Sequence, residues 1–341
     1  MRLRDLAELV RAPAALSVPG DTVAGAAASG GLRPSTPGLA AASVCLYWGG
    51  MAANDWADRE LDAVERPGRP IPSGRVRPGQ ALAAAAGLTA AGVGVAALAG
   101  GKRAAAVAVP LAGAVWVYDL WAKNTAAGPP MMALCRGLDV LLGASGGRMR
   151  RAVGPALTVA AHTYTVTALS RHEVSGATPA LPLSTLAGTA GLAAVVAATS
   201  RAGRAGSDQV LAGQTEVDHP RFPHKARPPK GAPPRSFSQG SGRIWGIGTA
   251  TCGQRGFVDN ARVVATGVLA AWYLAGYGRA QLRAAADPTA GRIRAAVGAG
   301  ITELPSLQGA LTASAGSPAY GIGVALAAPI ARILARKVSP T

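Results

Sequence analysis

Residues 39–75 read LAAASVCLYWGGMAANDWADRELDAVERPGRPIPSGR, an uncharged run joined directly to a dense block of acids, arginines and prolines. Asp55, Asp58 and Asp62 are spaced three and four residues apart. On a helix that spacing stacks the three carboxylates on one face, where they repel one another unless a cation sits among them. A hard cation such as Mg²⁺ takes carboxylate oxygens and shares its other positions with water or phosphate. The block therefore reads as a cation site that also holds phosphate groups, at the mouth of a membrane bundle. The plainer alternative is a solvated interfacial helix in which Arg59 and Arg66 pair the acids, and Asp62 and Arg66 are indeed four apart. It gives no reason for the acids to cluster at the end of an apolar run.

The chain has 341 residues, of which 49% are hydrophobic and only 4% aromatic. Ala and Gly supply much of the apolar content, and residues 81–101 and 178–200 carry no charge at all. Each is long enough to cross a hydrocarbon core of about 30 Å at about 1.5 Å per residue. Candidate spans fall near 13–30, 38–53, 81–100, 104–119, 131–147, 154–170, 178–200, 260–277, 293–312 and 317–334. The expected fold is all-α, a polytopic transmembrane bundle of about nine helices. Small residues let such helices approach closely. Short connections predict antiparallel neighbours.

A net charge of +17 invites a nucleic-acid reading. The basic residues lie mainly between apolar runs, and no aromatic–basic alternation marks a strand-binding platform, so no nucleic-acid partner is expected. Arg2, Arg4 and Arg11 and the arginines of the 54–79 loop are separated by an even number of crossings, which places both in the cytoplasm under the positive-inside bias. Cys45, Cys135 and Cys252 show no paired or metal-ligating spacing. The N-terminus, MRLRDLAELVRAP, lacks the pattern of a cleavable signal.

Residues 201–256 break the scheme, with nine Lys or Arg, three acids and six prolines. They divide the chain into a bundle over 1–200, an irregular basic insertion over 201–256, and a second part of the bundle over 257–341. Counting spans puts the insertion on the non-cytoplasmic side, against the charge bias. A disordered insertion, a miscounted span and a local frame error all account for this. His219 and His224 lie here and read as solvated loop residues.

Pro67, Pro70 and Pro72 stiffen the segment after the acids, so Arg66, Arg69 and Arg75 stand on a rigid loop beside them, suited to phosphate or to anionic head groups. The whole stretch NDWADRELDAVERPGRPIPSGR resembles the first Asp-rich signature, with its Arg–Pro–x–Pro–Ser–Gly turn, of the UbiA family of intramembrane prenyltransferases. The order of apolar runs is similar over most of the chain apart from 201–256, with a flavour similar to an actinobacterial, EboC-like branch. The resemblance implies about nine helices around a central cavity and Mg²⁺-dependent transfer of an isoprenoid group from a prenyl diphosphate to a hydrophobic or aromatic acceptor. It assigns Asn54, Asp55, Asp58 and Asp62 to metal and diphosphate. It matches Arg66 and Arg69 to the basic positions that follow, and Tyr118 and Lys123 to a Tyr and a cation near the diphosphate. Lys123 reads equally as a snorkelling interfacial lysine.

The family's second acid motif, DxxxD, is represented here only by Glu173 in TALSRHEVSGATP. Glu173 either supplies that half of the metal site or is an interfacial acid paired with Arg171 or His172. Loss of activity, leaving a protein that binds an isoprenoid or a partner without turnover, is the second functional expectation. Asp21, Arg136 and Asp139 are expected inside the membrane, where a charge is costly. Arg136 and Asp139 are three apart and able to neutralise each other, with Asp139 and Asp21 as candidates to line an acceptor pocket. The same three charges would form the ion path of a transporter, but no inverted repeat is visible. A lipid phosphoalcohol transferase is excluded by the lack of a DGxxAR stretch.

Overall fold

The computed structural model describes residues 2–11, 15, 17–215, 252–330 and 333, with side chains over 203–215 and 252–258 left aside. All regular structure among them is helical. A short arm, α1 (Leu3–Leu9), precedes α2 (Pro19–Ala28), α3 (Thr36–Ala57), α4 (Arg59–Glu65) and the long α5 (Pro78–Leu120). Then come α6 (Gly128–Ala144), α7 (Val153–Ser170), α8 (Ala180–Thr215), α9 (Cys252–Tyr273), α10 (Arg279–Ala286), α11 (Ala290–Ser314) and α12 (Pro318–Ala325). A π-helical turn over Leu274–Gly278 carries α9 into α10.

Each expected span overlaps one of these helices, counting α5 as two. Gly101, at φ 67° and ψ −159°, breaks α5 in a conformation open to glycine and costly for other residues. The two limbs fold back on each other, and Trp116 Nε1 donates to Thr89 Oγ1 at 3.1 Å between them. Pro78 starts the first limb, and Gln80 Oε1 accepts from the Arg77 N–H at 3.1 Å, so one free helix-end donor is satisfied. Among the described residues, α5 and residues 180–202 of α8 are the helices long and apolar enough to cross a membrane by length and hydropathy alone.

The bundle packs through small residues. A Cβ on Gly25 of α2 would run into the Val140 carbonyl of α6, and one on Gly143 of α6 would meet the Thr22 backbone. The two helices therefore touch backbone to backbone. Gly25→Ala is expected to force them apart at a cost of about 1–3 kcal/mol. A thermal melt in detergent checks this, and an unchanged midpoint would contradict the contact. In the second half of the bundle, buried His162 bonds through Nδ1 to Tyr273 Oη at 2.9 Å and through Nε2 to the Gly300 carbonyl at 3.2 Å, joining α7, α9 and α11.

Two ends can be distinguished. At one, the loops following α3, α5, α7 and α10 meet: Lys123 reaches Asp58, Arg171 Nη1 donates to the Thr125 carbonyl at 2.5 Å, and Ala177 N–H donates to Pro288 O at 3.0 Å. At the far end the Arg148 N–H bonds Ser29 O at 2.8 Å, close to where α8 and α9 approach the turn after α11. Helix extends into the stretch expected to be irregular, as α8 runs to Thr215 and α9 begins at Cys252. The remainder of that stretch, with His219 and His224, lies outside the described residues, as does the Cys252 side chain.

Candidate active site

α3 delivers the acids. Its apolar face packs between the limbs of α5, so its last turn emerges at the loop-rich end, with Ala52 and Ala53 fully buried. The helix breaks at Asp58 (φ −88°, ψ 5°), yet the i→i−4 bonds continue from Asp58 N–H to Asn54 O and from Asp62 N–H to Asp58 O. The three carboxylates therefore do not remain on one face. Asp55 and Asp62 turn inward to the same guanidinium: Arg69 Nη1 lies 2.6 Å from Asp62 Oδ2 and 3.3 Å from Asp55 Oδ1. Both acids are buried, whereas Asp58 keeps 24% of its side chain exposed and sits 2.7 Å from Lys123 Nζ. Arg66 is a looser partner of Asp62 at 3.9 Å.

The proline-rich loop explains how Arg69 is aimed. Ser73 N–H bonds Arg69 O at 3.0 Å, Val76 N–H bonds Pro70 O at 2.9 Å, and Gly74 takes a positive φ of 74°. Ile71 and Val76 are buried in the same apolar cluster as Leu9, Ala52 and Ala53. The loop is thus pinned under the arm, and the Arg69 guanidinium has little freedom.

Two partners were not singled out from the sequence. Arg11 donates through Nη2 to Asp55 Oδ1 at 2.9 Å. Asp119, at the end of α5, accepts from Asn54 Nδ2 at 3.3 Å. Asp119 was legible in principle: it follows Tyr118 and precedes Lys123 by four residues at the close of an apolar run. Arg11 carried no such signal, because only the fold-back of the arm brings it to Asp55.

The arm is held by Arg75, whose Nη1 and Nη2 bond the Glu8 carboxylate at 2.6 and 2.8 Å. The hydrogen bonds from Arg75 hold the Glu8 carboxyl below its ordinary value of 4.5. A depressed carboxyl contributes its stability above that value and loses it as the pH falls through the folded one. Hydrogen-exchange protection of residues 3–9, corrected for intrinsic rates, is expected to drop between about pH 6 and about pH 3, and Glu8→Gln to flatten the profile.

Behind the acids lies a cavity of about 80 Å³ lined by Ser43, Tyr47, Met51, Tyr118, Asp119 and Asp139, among others. It has room for several waters but is smaller than a usual ligand pocket. Adaptable side chains such as Met51 and Met132 form part of its wall. Asp139 faces it and accepts from Ser43 Oγ at 2.6 Å. Arg136 takes a different partner from the expected Asp139: its Nε lies 2.9 Å from Asp21 Oδ2, and Gln308 Nε2 completes that carboxylate at 2.6 Å. The reason is distance along the bundle, since the break before α2 sets Asp21 against α6.

Glu173 lies on the loop after α7, where Arg294 Nη2 donates to its backbone oxygen at 3.3 Å. Partial burial raises its carboxyl pKa, against the opposing charge of Arg294. Among the described residues no three His, Cys, Asp or Glu side chains already converge on one ion position. The oxygen donors at the mouth, Asn54, Asp55, Asp58 and Asp119, are nevertheless of the hard type that suits Mg²⁺.

Residues 18–172, from the start of α2 to the end of α7, match the UbiA prenyltransferase family. The chain is 40% identical over 154 residues to digeranylgeranylglyceryl phosphate synthase of Methanopyrus kandleri, covering 43% of this chain and 54% of that protein. It is 37% identical over 81 residues to chloroplastic chlorophyll synthase of Oryza sativa subsp. japonica, covering 22% of each. The chain thus spans about half the length, or less, of these relatives. A solved structure described as digeranylgeranylglyceryl phosphate synthase in membranes superposes with a TM-score of 0.56 at 14% identity, over 92% of this chain and 98% of that one, which is a likeness of fold. The signature on α3 and the helices around it lie within the stretch, 18–172, that matches the UbiA prenyltransferase family.

Proposed function

We propose that this protein is an integral-membrane prenyltransferase that moves an isoprenoid group from a prenyl diphosphate to a hydrophobic, electron-rich acceptor, aromatic in our reading, with Mg²⁺. The observation that carries the proposal is the mixed cluster of Asn54, Asp55, Asp58 and Asp119 with Arg11, Arg69 and Lys123, placed over the cavity lined by Tyr118 and Asp139. Relatives named digeranylgeranylglyceryl phosphate synthase and chlorophyll synthase support transfer of a prenyl group. The arginine-rich end carrying the acids faces the cytoplasm of the cell membrane in this reading.

Asn54, Asp55 and Asp58 would hold Mg²⁺, with Asp119 beside them, and the ion would neutralise charge on the departing diphosphate. Diphosphate oxygens must complete any such site, since the protein donors alone do not converge. Lys123, Arg66 and Arg69 bind and orient the diphosphate, and their charge stabilises the pyrophosphate as the allylic C–O bond breaks with its electron pair. The apolar walls keep water from the carbocation-like carbon. The acceptor then gives an electron pair to that carbon and loses a proton. Asp139, held by Ser43, is positioned to bind a polar group of the acceptor.

Membranes bearing the protein, supplied with labelled prenyl diphosphates, Mg²⁺ and a panel of acceptors, should yield extractable prenylated product. Glu173 stands alone where a pair of acids is expected, and this supports a second reading, a protein that binds the isoprenoid without turnover. Saturable binding of the diphosphate with no product from any acceptor would favour that reading.

A further inference from the structure

At the end of the bundle opposite the acids lies a larger cavity, of about 630 Å³, between the ends of α2, α7, α8, α9 and α11. Its size is within the range of small-molecule sites. Two guanidinium groups line it, Arg151 on the 3₁₀ turn before α7 and Arg262 on α9. Among the described residues neither has an ion-pair partner, and none of the described residues lining the cavity is a carboxylate. The Arg262 Nε is fully shielded and makes no hydrogen bond. With that N–H closed off inside the wall, the rest of the Arg262 guanidinium is what the cavity offers to an anion, beside Arg151.

The remaining polar wall refines the ligand. Thr158, Thr199 and Ser314 donate their hydroxyl protons to the carbonyls of Gly154, Val196 and Leu311, at 3.0, 2.9 and 2.8 Å. What they present to the cavity is therefore lone pairs, which accept from a ligand hydroxyl. Cationic donors beside hydroxyl acceptors suit a phosphate that itself carries free hydroxyls. Val195 and Val196 belong to the same wall, Val195 with 55% of its surface exposed on the outer side of α8. An apolar flank at the end of a spanning helix gives acyl chains a place to lie.

We propose that the Arg151–Arg262 cavity binds the headgroup of an anionic phospholipid of the phosphatidylglycerol class. The two guanidinium groups take the phosphate oxygens, the Thr and Ser hydroxyls accept from the glycerol, and the acyl chains descend along α8. The site is separate from the acid cluster, and the proposal does not depend on the chemistry at that end.

The test uses the full chain purified in a neutral detergent, titrated with short-chain phosphatidylglycerol, with short-chain phosphatidylcholine and with inorganic phosphate. Thermal unfolding and native mass spectrometry are the readouts. Phosphatidylglycerol is expected to stabilise the protein saturably at one molecule per chain, and phosphatidylcholine at least about tenfold more weakly. Arg151→Gln and Arg262→Gln are each expected to raise the half-saturating phosphatidylglycerol concentration by roughly tenfold. Arg103→Gln, an exposed cation at the break in α5, leaves it unchanged. If Arg262→Gln does not fold, Arg151→Gln still decides, because Arg151 is exposed. Equal binding by the double variant and the wild type overturns the site. Saturation by inorganic phosphate at the same concentration as the lipid overturns the lipid assignment, making this a site for a free phosphate.

Discussion

An Asp58→Asn protein is expected to transfer prenyl groups about a hundred- to a thousandfold more slowly, as kcat/KM, than the wild type, while melting at nearly the same temperature. Of the three acids in the signature, Asp58 is the one turned toward the mouth, partly exposed and, among the described residues, paired with Lys123 alone. Its removal leaves Lys123 free to meet solvent or diphosphate, so little folding energy is at stake. Asp62 makes the opposite case, buried and gripped by Arg69 at 2.6 Å. Asp62→Asn should therefore show a loss of stability first, with activity falling mainly as the Arg69 loop loosens. A Mg²⁺ titration separates the two further, since the half-saturating Mg²⁺ concentration should rise in Asp58→Asn. Asp58→Asn turnover within a fewfold of wild type would remove Asp58 from the reacting centre.

Arg136→Leu is expected to cost about 3–5 kcal/mol of stability, the range for deleting one partner of a buried ion pair. Asp21 has no exposed surface, and Arg136 also donates to the Ser17 carbonyl at 3.3 Å. Without the guanidinium, Asp21 and Asp139 keep Gln308 and Ser43 as hydrogen-bond partners but lose the positive charge beside them. Adding Asp21→Asn to Arg136→Leu should recover part of the loss, because the uncompensated charge is then gone. Reversible unfolding in mixed micelles, followed by the tryptophan signal, measures both. Equal stability of Arg136→Leu and wild type would mean that water reaches these groups, and the charges would then not be buried as described.

The span pattern was legible because crossing a hydrocarbon layer imposes a local rule: every backbone group must be satisfied within the segment, so apolar runs set off by charged or Pro/Gly-rich connections mark the helices. Even the break in α5 was marked, by the charges Lys102 and Arg103 after Gly100 and Gly101. The 3,4 spacing of the acids was likewise local, running from the last turn of α3 into α4. Where the reading differed, the cause was a partner remote in sequence. Arg136 was matched to Asp139, three residues away, but found Asp21 across the α2–α6 contact.

By itself, then, the sequence determined that this is a helical membrane bundle with a hard-donor, cation-flanked motif closing its second span, since hydropathy, helical period and proline stiffness act within a few residues. Only the tertiary structure decided how those charges divide: Asp55 and Asp62 on Arg69, Asp58 on Lys123, Asn54 on Asp119, and Arg11 folded back onto Asp55. Which opposite charge reaches which depends on how helices separated by tens of residues come to lie side by side. In a low-dielectric interior that choice of neighbour, more than the residue's own identity, sets what each charge does.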